Sequence, residues 1–146
     1  MRKIVYFDTS ALAKWYLNEP KSDHVEGYIQ EHGPVAISDL TVVEMRSLLA
    51  RRRREKSIDT RTETLVFATF QEDIRQGFVL CHPLPEGLTA GAVNLLSSLP
   101  DVALRTLDAL QLAIAKEIGA NILATADRIM VAGAKAMGFS VVRFDR

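Results

Sequence analysis

The chain has little cysteine and no long apolar run. Cys81 is its single cysteine, so the 146 residues cannot form an intramolecular disulfide, and a zinc site of several cysteines is excluded. The longest uncharged stretch, residues 87–100, is too short to span a bilayer. The apolar run that opens the chain ends at Asp8, which argues against a secretory signal peptide. We therefore expect a cytoplasmic protein without a membrane segment, folded as one domain over residues 1–146.

Net charge is also lacking, because 18 basic residues balance 18 acidic ones. A uniformly basic nucleic-acid-binding protein is therefore excluded. The charge is uneven, however: residues 46–61 contain seven basic and two acidic residues, and the rest of the chain carries the compensating negative charge. A basic segment on an acidic body indicates a polyanionic partner together with an acidic, cation-binding centre.

The chain does contain enough apolar residues for a core, at 48%, and they are arranged in alternating patterns. Short β-branched runs predict five strands, over residues 3–7, 35–38, 78–81, 122–125 and 140–144. Helical periodicity predicts seven helices, over residues 11–18, 22–32, 41–56, 60–76, 89–99, 106–118 and 128–137. Strands separated by helices pair in parallel, so the sequence predicts a three-layer α/β/α sandwich around a central parallel sheet of about five strands.

Four acidic residues are predicted near the carboxyl ends of these strands, where open parallel sheets bind their ligands. Asp8 follows the first strand and Asp127 the fourth, while Glu44 and Asp108 lie in the first turns of two helices. Carboxylates gathered at one edge repel one another unless a cation lies between them. A set of oxygen donors without His or Cys indicates Mg²⁺, or Mn²⁺, rather than zinc.

Each of these acids also has a purely structural interpretation. Asp8 and Asp127 suit helix N-caps, and the T-x-x-E sequence that ends at Glu44 has the form of a capping box. Asp108 suits the positive end of its helix dipole, with Arg105 three residues earlier as a counter-charge. The face on which Asp108 lies is apolar, however, and a carboxylate there requires a donor or a cation.

Four short motifs give the chain a resemblance to a known family. They are DTSAL at 8–12, VVEM at 42–45, LDALQLA at 107–113 and TAD at 125–127. Together and in this order they resemble the PIN domain, and more narrowly the ribonuclease toxins of VapBC-type toxin–antitoxin pairs, over essentially the whole chain. The resemblance implies a metal-dependent endoribonuclease that hydrolyses RNA phosphodiester bonds.

The resemblance also implies roles for particular residues and partners. The catalytic acids it implies are Asp8, Glu44, Asp108 and Asp127. Ser10 and Thr125 match hydroxyl positions that line such sites. Asp8 and Asp108 are expected to bind Mg²⁺ or Mn²⁺ directly, and the other two acids to bind a second ion, to hold metal-bound water or to orient the attacking water. An antitoxin partner and a homodimer are implied as well.

The arginine run at residues 51–54 permits two interpretations. Clustered arginine is typical of nucleic-acid binding, but cations at the carboxyl end of a helix also favour the helix dipole. Arg51 lies two turns beyond Glu44 on one helix face, which makes it the first candidate for contact with an RNA phosphate. Arg46 and Arg128 are further candidates.

Two other functions remain as alternatives. A phosphatase of the haloacid dehalogenase type also begins with a hydrophobic strand and an aspartate, but it requires a second acid two residues later, where this chain has Ser10. A catalytically inactive PIN-like module that binds RNA or protein is the other alternative. The complete set of four acids argues against it, because an inert module has no reason to keep unpaired carboxylates at one edge.

Overall fold

A central parallel sheet organises the computed structural model, which describes residues 3–146. The strands are Val5–Phe7 (β1), Val35–Ser38 (β2), Val79–His82 (β3), Ile122–Thr125 (β4) and Ser140–Arg143 (β5). The helices are Thr9–Tyr16 (α1), Ser22–His32 (α2), Asp39–Arg54 (α3), Thr60–Gln76 (α4), Leu88–Ser98 (α5), Thr106–Glu117 (α6) and Arg128–Ala136 (α7). The strand order is β3-β2-β1-β4-β5, with every pair parallel, which confirms the predicted fold class.

The alternation of side chains along β1 divides the core into two layers. Phe7 is fully buried against α1, α2, α3 and α4, whereas Tyr6 is fully buried on the opposite face against α6 and α7. Helix α5 lies outside this second layer, where Ala92 packs on Ala109 and Ala113 of α6. Burying a side chain such as Phe7 contributes roughly 1.5–3 kcal/mol, so both faces of the central strand stabilise the sheet.

Some predicted boundaries are shifted, for local reasons. Helix α3 begins at Asp39 rather than residue 41, because the backbone N–H of Ser38 donates to Oγ1 of Thr41 (3.1 Å) and makes Ser38 the N-cap. Strand β3 begins one residue later than predicted, because the N–H of Phe78 still bonds to the carbonyl of Asp73 at the end of α4 (2.9 Å). Strand β1 begins at Val5 rather than residue 3.

The order of the strands determines which connections are neighbours. Strands β1 and β4 pair at the centre of the sheet, with Phe7 opposite Ala124. The β1–α1 and β4–α7 connections therefore leave the sheet side by side, at the edge where parallel sheets bind ligands.

Within residues 3–146, none of the helices has the length and apolar character needed to cross a membrane.

Candidate active site

A cavity of about 580 Å³ opens at the carboxyl edge of the sheet. All four predicted acids line it, and they are Asp8, Glu44, Asp108 and Asp127. Four different connections supply them: β1–α1, the start of α3, the start of α6 and β4–α7. The topology therefore gathers carboxylates that lie up to 119 residues apart in the chain.

Asp8 is the most deeply buried of the four acids, with 4% of its surface exposed. Its Oδ1 accepts hydrogen bonds from the Ser10 hydroxyl (2.7 Å) and the Ala11 N–H (3.0 Å), and its Oδ2 accepts one from Thr125. Burial raises the pKa of Asp8 to about 6; these hydrogen bonds oppose the rise, and the charge of Asp127 adds to it. Because the fold disfavours the charged form, Asp8 is the carboxylate that gains most from a nearby cation.

Ser10 and Thr125 connect Asp8 to the loop that carries Asp127. The Ser10 hydroxyl accepts a hydrogen bond from the Ala126 N–H (3.0 Å), and the Thr125 hydroxyl accepts one from the Asp127 N–H (3.0 Å). Each hydroxyl thus accepts from the β4–α7 loop and donates to Asp8. These bonds fix the spacing between the two sides of the cavity.

Glu44 lies on α3 and is held through one carboxylate oxygen. Its Oε1 accepts hydrogen bonds from the Thr9 hydroxyl (3.2 Å) and from the side-chain amide of Gln111. Desolvation raises the pKa of Glu44, the two hydrogen bonds lower it, and the charge of Asp108 raises it again, with a net rise. The capping box considered for Glu44 is formed instead by Thr41, so the carboxylate of Glu44 is available to the cavity.

Asp108 and Asp127 combine capping with a place in the cavity. Asp108 Oδ2 accepts a hydrogen bond from the Arg105 N–H (2.9 Å), and Asp127 Oδ1 accepts from the N–H groups of Ile129 (2.7 Å) and Met130 (3.1 Å). The guanidinium of Arg105 lies 3.6 Å from Asp108 and 3.8 Å from Asp127. The structural and the functional interpretations of these acids are therefore compatible, since each carboxylate has two oxygens.

Comparison with known proteins identifies the family to which this fold belongs. The family model of the PIN domain matches residues 5–136. The chain belongs to the PIN-domain family. Ribonuclease VapC46 of Mycobacterium tuberculosis is 29% identical to this PIN domain over 141 residues, which cover 94% of the chain and 95% of the relative. The family match argues against the haloacid-dehalogenase-like alternative.

Solved structures of similar fold include toxins and their complexes. Mycobacterium tuberculosis VapC20, a toxin that cleaves the sarcin–ricin loop, superposes on this PIN domain with a TM-score of 0.71 at 20% identity, over 95% of the chain and 98% of VapC20. DNA-bound VapBC from Salmonella typhimurium gives a TM-score of 0.71 at 14% identity, over 97% and 98%. FitAcB from Neisseria gonorrhoeae gives 0.69 at 18% identity, over 94% and 96%. At these identities the likeness concerns the fold.

The donor chemistry of the PIN-domain cavity fits a hard divalent cation. The charged residues that line it are Asp8, Glu44, Arg51, Arg105, Asp108 and Asp127, which leaves an excess of two negative charges. Within residues 3–146, however, no three Asp, Glu, His or Cys side chains are grouped tightly enough to enclose an ion. Mg²⁺ suits such an open arrangement, because it binds through one or two carboxylates and keeps several waters.

The arginines predicted to contact RNA occupy different environments. Arg51 lines the cavity. Arg46 lies instead between α3 and α4, where it contacts Glu63 (3.1 Å) and the ring of Phe67, and it is absent from the residues that line the cavity. Arg128 is exposed at the start of α7, beside Asp127. Of the three candidates, Arg51 is therefore the one that lies at the site.

Within the arginine run itself, two members form intramolecular ion pairs. Arg52 pairs with Glu19 (3.1 Å), and Arg53 pairs with Glu63 (2.7 Å). Burial by itself would raise the pKa of Glu63, but the hydrogen bond from Arg46 and the charge of Arg53 outweigh it and lower the pKa. Arg52 and Arg53 thus stabilise the fold through ion pairs, and contact with RNA stays a prediction for Arg51.

Sequence reasoning missed three residues at this site: Tyr6, Thr9 and Gln111. The Tyr6 hydroxyl donates to Gln111 Oε1 and also contacts Ser38 Oγ (2.9 Å). Burial raises the pKa of Tyr6 to about 12, so its hydroxyl stays protonated at neutral pH. Gln111 had a visible signal, since it is the one polar residue in the apolar stretch 109–115 that follows Asp108.

Proposed function

We propose that this PIN domain, spanning residues 1–146, is a divalent-metal-dependent endoribonuclease that acts as the toxin of a toxin–antitoxin pair. The observation that carries the proposal is the gathering of four carboxylates in one cavity with an excess of two negative charges. The ribonuclease to which the chain is 29% identical over nearly its full length supports the reaction class. Hydrolysis of an RNA phosphodiester requires both an activated water and neutralisation of phosphoryl charge.

The four acids are assigned two kinds of role, binding of the metal ion and orientation of water. We assign Asp8 and Asp108 as the groups that hold Mg²⁺ or Mn²⁺, with Glu44 and Asp127 as ligands of a second ion or as groups that orient water. When bound, the ion lowers the pKa of its water and neutralises charge on the phosphoryl oxygens. Ser10 and Thr125 hold Asp8 in place. The raised pKa of Glu44 suits a group that accepts a proton from the attacking water.

Substrate contact is assigned to the basic wall of the same cavity. Arg51 is the residue proposed to bind an RNA phosphate, because it lies in the cavity and is exposed. Arg128 is a second candidate, because it is exposed and follows Asp127 directly in the chain, although it does not line the cavity. Arg46 is not retained, because Glu63 and Phe67 already engage it.

The partners proposed are an antitoxin, an RNA substrate and a second copy of the chain. The VapBC structure of similar fold supports the first of these, since it contains a toxin with its partner. An acidic cavity attracts an arginine or lysine from such a partner. A cytoplasmic location follows from the proposed action on RNA.

A cleavage assay tests the nuclease proposal. Purified protein is incubated with a structured RNA in Mg²⁺, in Mn²⁺ or in EDTA, beside the variants Asp8→Asn and Asp108→Asn. Cleavage is expected in either metal and is expected to be lost in EDTA and in both variants. The matched control is Asp59→Asn, which changes an N-capping aspartate outside the cavity and should cleave like wild type.

A catalytically inactive module remains the second candidate, because Arg105 lies close to two of the four acids. RNA binding without cleavage in either metal would favour it over the nuclease. Cleavage that persists in EDTA and in Asp8→Asn would contradict the assigned site.

A further inference from the structure

Gln111 is a buried amide that joins the core to the catalytic cavity. It is 3% exposed, lies on α6 next to the fully buried Leu112, and lines the cavity. Its Oε1 accepts a hydrogen bond from the Tyr6 hydroxyl, and its Nε2 donates one to Oε1 of Glu44. A buried polar group with both ends engaged is held in one orientation.

The hydrogen bonds behind Gln111 run in one direction. The Tyr6 hydroxyl has a single proton, which it donates to Gln111, so the contact with Ser38 (2.9 Å) is a bond that Ser38 donates. The sequence of donors is therefore Ser38, Tyr6, Gln111 and finally Glu44. Turning the amide over would place its oxygen against the carboxylate of Glu44 and its NH₂ against the donating hydroxyl of Tyr6.

The effect on Glu44 is to engage one oxygen and leave the other available. Oε1 accepts from both Thr9 and Gln111, which fills its two lone pairs. Among residues 3–146, no hydrogen bond ends on Oε2 of Glu44. The cavity is the space in which Glu44 can use that second oxygen.

We propose that Gln111, held by Tyr6, is a positioning residue that orients Glu44 so that Oε2 faces the metal ion or its bound water. The inference rests on the proposed metal-dependent nuclease and adds to it a specific dependence on two residues that are not assigned as ligands of the ion or contacts of the RNA. Partners that orient metal ligands are typically worth about 10- to 100-fold in metal affinity or activity.

The variants Gln111→Met and Tyr6→Phe test the proposal. Methionine fills nearly the same volume as glutamine without donating, and phenylalanine keeps the ring of Tyr6. Mn²⁺ affinity is measured by calorimetry, and kcat and KM are measured on RNA. Gln111→Met is expected to weaken Mn²⁺ binding about tenfold and to lower kcat with little change in KM. Tyr6→Phe is expected to act in the same direction but less strongly.

A double-mutant cycle separates action through Glu44 from a general effect on the fold. In a Glu44→Ala background, Gln111→Met should change Mn²⁺ affinity less than twofold, because its target is gone. Gln76→Met is the matched control, since Gln76 donates to Glu72 (2.9 Å) on α4, outside the cavity, and it should behave like wild type.

The outcomes are distinct. Wild-type Mn²⁺ affinity and kcat in both variants would overturn the inference alone, and so would an equal loss of affinity with and without Glu44. Absence of Mn²⁺ binding and cleavage in wild type would overturn the proposed function and the inference with it. If Gln111→Met unfolds by circular dichroism, Tyr6→Phe decides: wild-type behaviour contradicts the inference, and a selective loss of kcat and Mn²⁺ affinity supports it.

Discussion

The guanidinium of Arg105 lies 3.8 Å from the carboxylate of Asp127, although the two residues precede different helices. The same guanidinium lies 3.6 Å from Asp108. Both distances exceed that of a hydrogen bond, and the Arg105 side chain is 74% exposed. Exposed ion pairs of this kind contribute about 0–1 kcal/mol to stability. Arg105 therefore offsets the charge of the two acids but binds them only weakly.

Removing Arg105 should therefore strengthen metal binding. We expect Arg105→Gln to bind Mn²⁺ about two- to fivefold more tightly than wild type at low salt, because a competing cation is gone. The gain should shrink as salt is raised. Calorimetric titration measures both effects.

The matched control is Arg75→Gln, which removes an arginine–glutamate pair of the same i,i+3 spacing on α4, outside the cavity. It should leave Mn²⁺ affinity unchanged. Weaker binding by Arg105→Gln would mean that Arg105 positions Asp108 rather than competing with the ion.

Asp8 should make the metal-free protein less stable at neutral pH. Its pKa rises from 3.8 in the unfolded chain to about 6 in the fold, so the folded protein holds the proton more tightly. Stability is therefore greatest below pH 4 for this group and falls as pH rises from 4 to 6. The full difference corresponds to about 3 kcal/mol.

Asp8→Asn should remove that penalty. The asparagine Oδ1 can keep the bonds from Ser10 and Ala11, and its NH₂ can donate to Thr125. In EDTA at pH 7.5 we expect the variant to be more stable than wild type by about 2 kcal/mol, or roughly 5 °C in melting temperature. The gain should fade as pH falls toward 4. Added Mn²⁺ should stabilise wild type only.

Thermal melts at several pH values check this prediction. Asp59→Asn is the control, because the pKa of Asp59 is lowered by its hydrogen bonds with Thr62 and an asparagine there gains nothing. An Asp8→Asn protein that melts below wild type at pH 7.5 would show that the charged form of Asp8 is not disfavoured.

Variants at Arg51 and Arg53 should distinguish contact with RNA from an ion pair that stabilises the fold. Arg51→Gln is expected to weaken RNA binding in EDTA and to reduce the salt dependence by about one phosphate contact, with an unchanged melting temperature. Arg53→Gln should lower the melting temperature, because it breaks the pair with the buried Glu63 (2.7 Å), and should keep the wild-type salt dependence. Fluorescence anisotropy titrations at salt concentrations from about 50 to about 300 mM measure the salt dependence of RNA affinity for both variants. Equal slopes for wild type and Arg51→Gln would remove Arg51 from the RNA path.

The sequence was most informative where local chemistry marks the end of an element. Helices α2 and α4 have the predicted bounds, because Gly33 and Gly77 end them with positive φ and Asp59 caps the start of α4. The predicted parallel topology also permitted the four acids to share one edge of the sheet, although the strand order that brings them into one cavity was not predicted. These features need no knowledge of which side chains meet.

Contacts between helices that are distant in the chain could not be predicted from the sequence. Leu65 fits the apolar period of α4 and yet is 54% exposed, whereas Glu63 is 5% exposed because Arg46 and Arg53 of α3 face it. The same limit hid the bond between Gln111 and Glu44, which are 67 residues apart. Helical periodicity identifies a face, but the partner of that face comes from tertiary packing.

An arginine delivered by a partner should compete with Mg²⁺ at the acidic cavity. The excess of two negative charges favours any cation that reaches the acids, and an arginine fork binds carboxylates through two bonds. We expect a peptide with one suitably placed arginine to suppress RNA cleavage and rising Mg²⁺ to restore it in part. The measurement is cleavage rate against peptide concentration at several Mg²⁺ concentrations, with an Arg→Gln peptide as the control. Inhibition that is independent of Mg²⁺ would indicate that the peptide blocks the RNA path, and full activity in a tight complex would contradict partner control.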